Sequence, residues 1–345
     1  MKKWIRGLAF VCVLTLVLGR TYAILSWKET YGEYHSCIRQ LYNTGDDLMD
    51  VVFVGTSHVF DGVNPAILWE EYGISGFVMG GSAQGRELSY HYIIEMLKTQ
   101  SPKVVFVDLY GLVNEMNPGA DIYRGTLSMK LSFNSIRLTQ EIVDTKEEQL
   151  QHILRWPIIH TRYREIEERN FVEIEYNTYG RGYDAQWWRD MSVHMSEELL
   201  SDTVQADLGE EKMEWLQNLA DLATEEGFEL IFTIMPYYFE DNADIWESYN
   251  TAKAFAAQNE IVFLDLNVLA DEVGIDFEQD FRDSTHLNAW GAQKVSSYLG
   301  AFLKEHVELE DHRGDDAYYL WDLNLEYYLS ELAQNDPSAQ IGSTE

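Results

Sequence analysis

Short apolar runs alternate along the chain with longer segments in which apolar residues return at helical spacing. Runs rich in β-branched and aromatic residues predict buried strands at residues 50–54, 76–79, 104–109, 229–236 and 261–266. Between the runs, helical spacing is clearest where Ala292, Val295, Leu299 and Phe302 trace one apolar face. This alternation predicts an α/β fold, a three-layer α/β/α sandwich around a mostly parallel, flavodoxin-like sheet.

Residues 111–205 interrupt the alternation. The segment is rich in aromatic and arginine side chains, among them Trp156, Arg162, Arg164, Trp187 and Trp188. We expect an inserted cap that lies over the sheet edge, above the carboxyl ends of the strands. Such side chains suit carbohydrate stacking and anion contacts. They are equally suited to filling a small core within the insertion.

The start of the chain has the pattern of a membrane anchor. Lys2, Lys3 and Arg6 precede an apolar run over residues 7–19, and counting through Trp27 gives the roughly 20 residues that span a bilayer. The pattern predicts an uncleaved signal anchor over residues 1–27, with a cleaved signal peptide as the alternative. Because the positive charges precede the apolar run, the remainder is expected outside the membrane, either anchored by one pass or secreted.

Four regions are therefore expected in order along the chain. The anchor is followed by a juxtamembrane segment over residues 28–49 and by a folded domain over residues 50–334, which contains the insertion. Residues 335–345 form a polar tail. Cys12 lies in the anchor and Cys37 outside it, so no disulfide can join two cysteines of the folded domain, and no cysteine-based zinc site can form.

The body of the protein is strongly acidic. The chain has a formal net charge of -33, and residues 31–345 alone hold 20 basic and 57 acidic residues, a net charge of -37. Such a surface repels nucleic acid and anionic lipid, so a nucleic-acid partner is not expected. We interpret the acidity as a means of solubility.

Candidate chemistry begins at Ser57, which follows the first apolar run at the expected carboxyl end of a strand. Ligands and reactive groups collect at that end of an open α/β sheet. A serine between a strand and a helix is also a routine helix N-cap. Asp283 and His286, three residues apart near the end of the domain, offer what a nucleophile needs, because the carboxylate can orient the imidazole that serves as base.

Other residues are expected to surround this site. The turn after the second strand could supply oxyanion donors from Gly80 and Gly81, together with the N–H of Ser57, or it could be a plain strand-to-helix turn. His58, Gln84 and Tyr237 are expected to line the substrate site. No metal site is predicted, because the histidine and cysteine spacings typical of one are missing. No cofactor is predicted either.

The blocks Gly-Thr-Ser-His at residues 55–58 and Asp-Ser-Thr-His at residues 283–286 resemble the nucleophile and Asp-x-x-His blocks of the SGNH (GDSL-like) hydrolase superfamily. The continuation HLNAWGAQKVSSYL is similar to the membrane-anchored branch related to the D-alanylation protein DltD and to alginate-type O-acetyltransferases. The chain departs from the family at residues 108–111, where an asparagine would follow the third strand, and before Gly80, where Met79 stands. Both departures predict a poorly furnished oxyanion hole.

The resemblance implies a serine enzyme that acts outside the membrane. It implies Ser57 as nucleophile, His286 as base and Asp283 as the orienting acid, in an O-acyltransferase or esterase of SGNH type. The favoured reaction is O-acetylation of a cell-surface polysaccharide or teichoic-type polymer, beside a multispanning membrane acyltransferase. The alternatives are an exported carbohydrate esterase and a surface glycan-binding protein that retains a relict site.

Overall fold

A central sheet of five parallel strands organises the computed structural model, which describes residues 2–26, 33–113, 125–171, 180–189, 203–238 and 242–335. The strands are β1 (Val51–Gly55), β2 (Gly76–Gly80), β3 (Val104–Asp108), β4 (Glu229–Ile234) and β5 (Val262–Asp265). Their order across the sheet is β2-β1-β3-β4-β5, and Val51 lies opposite both Gly76 and Val104. The predicted α/β fold class is confirmed.

Helices cover both faces of this sheet, as the alternation of strands and helices predicts. The helices with eight or more residues are α1 (Lys2–Leu25), α2 (Glu33–Asn43), α4 (Pro65–Tyr72), α5 (Arg86–Met96), α7 (Phe133–Ile142), α8 (Lys146–Leu154), α10 (Gly209–Glu226), α11 (Ala243–Gln258), α13 (Ala289–His306) and α14 (Tyr319–Asn335). The short ones are α3 (Ser57–Gly62), α6 (Tyr110–Val113), α9 (Trp156–Ile159) and α12 (Ala270–Val273), with 3-10 turns at His160–Arg164, Glu168–Phe171 and Asp316–Tyr318.

Successive side chains of each strand enter opposite cores. Val52 and Val54 of β1 belong to a core shared with α5, α10 and α11. Val51 and Phe53 belong to a second core shared with α3, α4 and α13. Because both faces are covered, β1, β2 and β3 are buried throughout and β4 is buried after its first residue, whereas the edge strand β5 is mostly half-buried. The strands are short, largely apolar runs, which is why the sequence revealed them.

The strand order places a crevice beside β1. From β1 the chain goes to β2 on one side and then crosses to β3 on the other, so the connections that leave β1 and β3 run to opposite faces. In sheets of this kind the crevice at the carboxyl ends of such strands is where ligands bind. Ser57 follows β1 at this point, and Asp108 closes β3 beside it.

The described part of the inserted segment includes α7, which packs along α5. His91 of α5 contacts Asn134 at 2.5 Å and Glu141 at 2.9 Å. These polar pairs hold residues 133–142 against α5. Residues 114–124, 172–179 and 190–202 lie outside the described part, so the cap over the strand ends stays a prediction.

Residues 180–189 are the part of the insertion that approaches the crevice. The N–H of Asp184 donates to the Phe60 carbonyl at 2.9 Å, and the N–H of Val78 donates to the Arg181 carbonyl at 2.8 Å. The second bond closes the outer edge of β2. Gly182 makes this approach possible, because its φ is 87° and a Cβ there would lie 1.9 Å from the Val78 carbonyl oxygen.

Helix α1 stands apart from the body for most of its length. Its side chains are exposed except near its end, where Leu25 is buried. In the described part of the chain it is the one helix long and apolar enough to cross a membrane, with a mean hydropathy of 2.1. A signal sequence has the same properties, so both expectations for the N-terminus remain compatible with it. The predicted tail beyond residue 335 lies outside the described residues.

Candidate active site

The turn between β1 and α3 presents Ser57. Thr56 is the N-cap of α3, and its hydroxyl accepts a bond from the His58 N–H at 3.3 Å. Ser57 is the first residue of the helix and is not its cap, so its hydroxyl is available for other contacts. Gly55 is required before this turn, because a Cβ there would lie 2.7 Å from the Cβ of Asp108.

His286 reaches Ser57 from a hairpin-like loop. Phe281 and Leu287 form an antiparallel bridge at the base of the loop, just before α13 begins. The imidazole Nε2 lies 2.8 Å from Ser57 Oγ, and its Nδ1 lies 2.8 Å from Asp283 Oδ1. The structure thus brings together the three side chains that the sequence singles out, although 229 positions separate Ser57 from His286.

The Asp283 carboxylate is held by several donors. It accepts bonds from the backbone N–H groups of Thr285 and His286, each at 2.9 Å. Burial acts to raise the pKa of Asp283, but hydrogen bonds from His286 and Thr285 outweigh it and hold the pKa below its ordinary value. An ionised carboxylate selects the His286 tautomer with its proton on Nδ1, which leaves Nε2 free to accept the serine proton.

An ion pair fastens the His286 loop to the helix that carries Ser57. Arg282 Nη2 lies 2.8 Å from Asp61 Oδ2, and the Asp61 side chain is completely buried. The same guanidinium lies 5.9 Å from the ring centroid of Trp188. The sequence alone did not reveal this pair, although Arg282 stands immediately before Asp283.

His58 forms a wall beside the imidazole of His286. Its ring lies 3.9 Å from that of Tyr110, 4.8 Å from that of Tyr237 and 5.4 Å from that of His286, measured between centroids. Burial lowers the pKa of His58 well below its ordinary value, and the neighbouring His286 lowers it further. His58 is therefore neutral at physiological pH. Tyr110 was not singled out by the sequence, although it follows β3 at the same sheet edge.

Two residues expected to line the substrate site are instead enclosed. The Tyr237 hydroxyl bonds that of Tyr249 at 2.8 Å, and its ring supports His58 from behind. The Gln84 amide donates to the Met79 carbonyl at 3.2 Å and to Ser89 at 3.0 Å. Both side chains are about 1% exposed, so they shape the walls of the site without facing its open side.

The proposed oxyanion donors differ in their availability. The Gly81 N–H donates to the Gly55 carbonyl at 3.2 Å and is therefore engaged within the fold. At Gly80 a Cβ would lie 3.1 Å from the Cβ of Phe60, so this glycine lets α3 pack against β2. The N–H of Ser57 opens α3, a position that has no acceptor within the helix.

Asp108 is the first residue of the stretch 108–111, in which the expected asparagine is missing. It is 3% exposed, and its carboxylate accepts the Met235 N–H at 3.3 Å. Burial raises the pKa of Asp108 to about 7, against the smaller opposing effect of hydrogen bonds from Met235, Tyr110 and Thr56. An ionised carboxylate can only accept hydrogen bonds, so in that form it cannot take the place of an amide donor.

No family model matches this chain, and no curated protein matches it. Among solved structures, it is similar to a protein assigned to the G-D-S-L family of lipolytic proteins from Desulfitobacterium hafniense DCB-2, at 11% identity and a TM-score of 0.37, over 73% of this chain and 97% of that one. It is also similar to a protein assigned as an acylhydrolase from Bacteroides fragilis NCTC 9343, at 14% identity and a TM-score of 0.37, over 82% and 100%.

Proposed function

We propose that the protein is a serine enzyme that transfers or hydrolyses acyl esters through Ser57, His286 and Asp283. The observation that carries the proposal is the continuous hydrogen-bonded chain from Ser57 Oγ through both ring nitrogens of His286 to the Asp283 carboxylate. A serine hydroxyl is a weak nucleophile alone and needs such a base. A serine that only caps a helix needs no histidine beside it, so this geometry favours a catalytic serine over a structural one.

The reaction follows from these contacts. Ser57 Oγ attacks the ester carbonyl while His286 Nε2 takes the hydroxyl proton, and the ionised Asp283 stabilises the imidazolium. The Ser57 N–H faces the developing oxyanion. When the tetrahedral intermediate collapses, the ester C–O bond breaks and the leaving oxygen takes the proton from Nε2. An acceptor hydroxyl or water then attacks the acyl-serine and gives its proton to Nε2. The bond between the acyl carbon and Ser57 Oγ breaks, and Oγ takes the proton back from Nε2.

The acceptor is proposed to be a cell-surface glycan. O-acetyl transfer to a surface polysaccharide or teichoic-type polymer is supported by the resemblance of the HLNAWGAQKVSSYL continuation to membrane-anchored acyltransferases and by the length of α1. In that setting a multispanning membrane acyltransferase supplies the acyl group. Hydrolysis uses the same residues, and the exclusion of water from the acyl-serine decides between the two outcomes.

One observation favours a non-catalytic glycan-binding protein as the second candidate. The Gly81 N–H is bonded to the Gly55 carbonyl, and residues 108–111 lack the expected asparagine, so fewer groups are free to stabilise an oxyanion. Losing one such donor costs a typical hydrolase roughly 100- to 1,000-fold in kcat. We therefore expect slow turnover of simple esters rather than none.

The proposal is tested with a serine-directed fluorophosphonate probe on the full chain. We expect an adduct on Ser57, identified by mass spectrometry of the labelled peptide, and its loss in Ser57→Ala. Ser82→Ala, in the neighbouring glycine-rich turn, is the matched control and should label like the wild type. An adduct on Ser82, or none on a folded sample, would favour the binding protein.

A second assay separates transfer from hydrolysis. Unlabelled, active protein is incubated with a chromogenic acetyl ester, with and without a soluble oligosaccharide acceptor. Transfer predicts acetylated oligosaccharide by mass spectrometry and less free acetate when the acceptor is present. Release of acetate that the acceptor does not reduce would identify an esterase.

A further inference from the structure

Helix α1 is joined to the folded domain at one defined place. Arg162 Nη1 donates to the Leu25 carbonyl at 2.7 Å, and Asn170 Nδ2 donates to the Ile24 carbonyl at 3.2 Å. The ring of Tyr22 meets that of Trp156 edge-on, with centroids 5.9 Å apart. Side chains of the domain thus satisfy carbonyls that a free helix end leaves to water.

The segment that holds the helix end also exposes apolar side chains. α9, the 3-10 turn His160–Arg164 and the 3-10 turn Glu168–Phe171 all contact α1. Within this segment Tyr163 is 58% exposed, Ile166 38% and Phe171 65%. The guanidinium of Arg164 lies 5.3 Å from the Tyr163 ring. Aromatic rings next to arginines are typical of the boundary between water and lipid headgroups.

The charge of this segment differs from that of the body. Residues 156–171 contain three arginines and three glutamates, so their formal charge balances, whereas residues 31–345 carry a net charge of -37. A balanced patch is not repelled by a bilayer as the rest of the surface is. It also offers no excess of positive charge, so any attraction to lipid must come from its apolar side chains.

We propose that residues 156–171 form a membrane-contact surface that seats the domain on the outer lipid interface around the end of α1. The inference rests on the proposed role of α1 as an anchor. Because α1 crosses the bilayer and its last carbonyls are bonded to Arg162 and Asn170, this segment lies at headgroup level. The side chains of Tyr163, Ile166 and Phe171 enter the interface, which fixes the orientation of the domain relative to the membrane.

Nitroxide labels on the full chain in phosphatidylcholine vesicles test the proposal. Single cysteines are introduced by Tyr163→Cys or Phe171→Cys in a Cys12→Ser background. Cys37 is fully buried, and burial raises the pKa of its thiol to about 12, so it resists labelling. We expect both labels to collide more with lipid-soluble oxygen than with a water-soluble nickel complex, and added salt to change this little, because apolar insertion is not screened.

Val268→Cys is the matched control, since Val268 is an exposed apolar residue just after the edge strand β5 and lies outside the segment that contacts α1. Its label should report water. A label on the native Cys12 separates the two hypotheses, because it reports bilayer depth only if α1 spans the membrane. Water-like values at residues 163 and 171, with Cys12 deep in the bilayer, would overturn the contact surface and leave the anchor standing. Water-like values at Cys12 would overturn the anchor itself.

Discussion

Because Thr56 caps α3, the hydroxyl of Ser57 is available for other contacts. In a strand-to-helix turn the first serine or threonine usually satisfies the free N–H groups of the helix. Here Thr56 takes that role for the His58 N–H, and the next hydroxyl turns to His286 at 2.8 Å. Thr56 thus caps the helix, and the neighbouring hydroxyl of Ser57 is available for the proposed reaction.

The dependence of Ser57 reactivity on its partners gives a graded prediction. His286→Ala removes the proton acceptor and should reduce fluorophosphonate labelling by orders of magnitude. Asp283→Asn should reduce labelling less, because the imidazole remains but loses its fixed tautomer. The rate of labelling, measured by in-gel fluorescence, shows which of the two variants loses more reactivity. Labelling by His286→Ala at the wild-type rate would show that Ser57 is activated in another way.

The raised pKa of Asp108 predicts that the folded protein loses stability as the pH rises. Its folded pKa of about 7 lies above the ordinary value of 3.8, so between these two pH values the folded state binds more protons than the unfolded state. The associated stability is fully present below pH 3.8 and is lost as the pH rises through about 7, by about 4 kcal/mol of unfolding free energy.

Asp108→Asn keeps an oxygen acceptor for the Met235 N–H but cannot ionise. Denaturant unfolding in detergent, compared between variant and wild type from acidic to alkaline pH, should therefore show a difference that grows with pH in favour of the variant. Asp265, whose pKa burial raises to about 6, titrates in both proteins and cancels in the comparison. A difference that does not change with pH would contradict the prediction.

The loop between β5 and α13 carries His286. The bridge between Phe281 and Leu287 shapes it, Asn288 caps α13 behind it, and Arg282 ties it to α3 through Asp61. Because α3 begins with Ser57, this ion pair joins the two elements whose separation sets the distance from Ser57 to His286.

Removal of Arg282 should therefore affect both stability and reactivity. Arg282→Met leaves Asp61 buried without its partner, which typically costs about 3–5 kcal/mol of unfolding free energy. Arg313→Met is the matched control, since Arg313 pairs with Asp311 at the surface, where such pairs contribute about 1 kcal/mol or less. Denaturant unfolding and probe labelling measure the two effects.

The double variant Asp61→Asn with Arg282→Met separates the ion pair from the rest of the loop. It removes the buried charge, so it should recover much of the stability that Arg282→Met loses. Labelling of Ser57 should remain low, because the loop is still untied from α3. Equal losses for Arg282→Met and Arg313→Met would show that the buried pair has no special role.

The central elements could be predicted because their signals are local. Buried parallel strands are continuous apolar runs, and the predicted runs coincide with β1 to β5 to within two residues at each end. The bond between Ser57 and His286 was expected from the order of the two blocks in the chain, but their catalytic roles stay a prediction.

Other features depend on contacts between distant residues and left no local pattern. The placement of α7 on α5 follows from the pairing of His91 with Asn134 and Glu141, which are 43 and 50 positions away. The engagement of the Gly81 N–H depends on the register of β1 and β2. Nor did the sequence show that the side chains of Gln84 and Tyr237 would be buried and hydrogen-bonded within the fold.

The whole molecule has a strong charge asymmetry along its length. Lys2, Lys3 and Arg6 lie at the start of α1, whereas residues 31–345 carry a net charge of -37. At 24 residues, α1 is about 36 Å long, which exceeds the roughly 30 Å of a bilayer core. Positive residues remain on the cytoplasmic side of such a helix, so the domain with Ser57 is proposed to lie outside.

This orientation predicts the result of protease treatment of intact spheroplasts. External protease should digest the domain, detected through a C-terminal tag, while a fragment containing α1 stays protected by the bilayer. Replacing Lys2, Lys3 and Arg6 by Gln should weaken the orientation and leave a larger fraction of the tag protected, because the charge bias that sets it is gone. Arg137→Gln on helix α7 is the control and should leave the orientation unchanged. A domain that resists protease until the membrane is permeabilised would place Ser57 inside the cell, and a mature chain that lacks residues 2–25 would show that α1 is a cleaved signal.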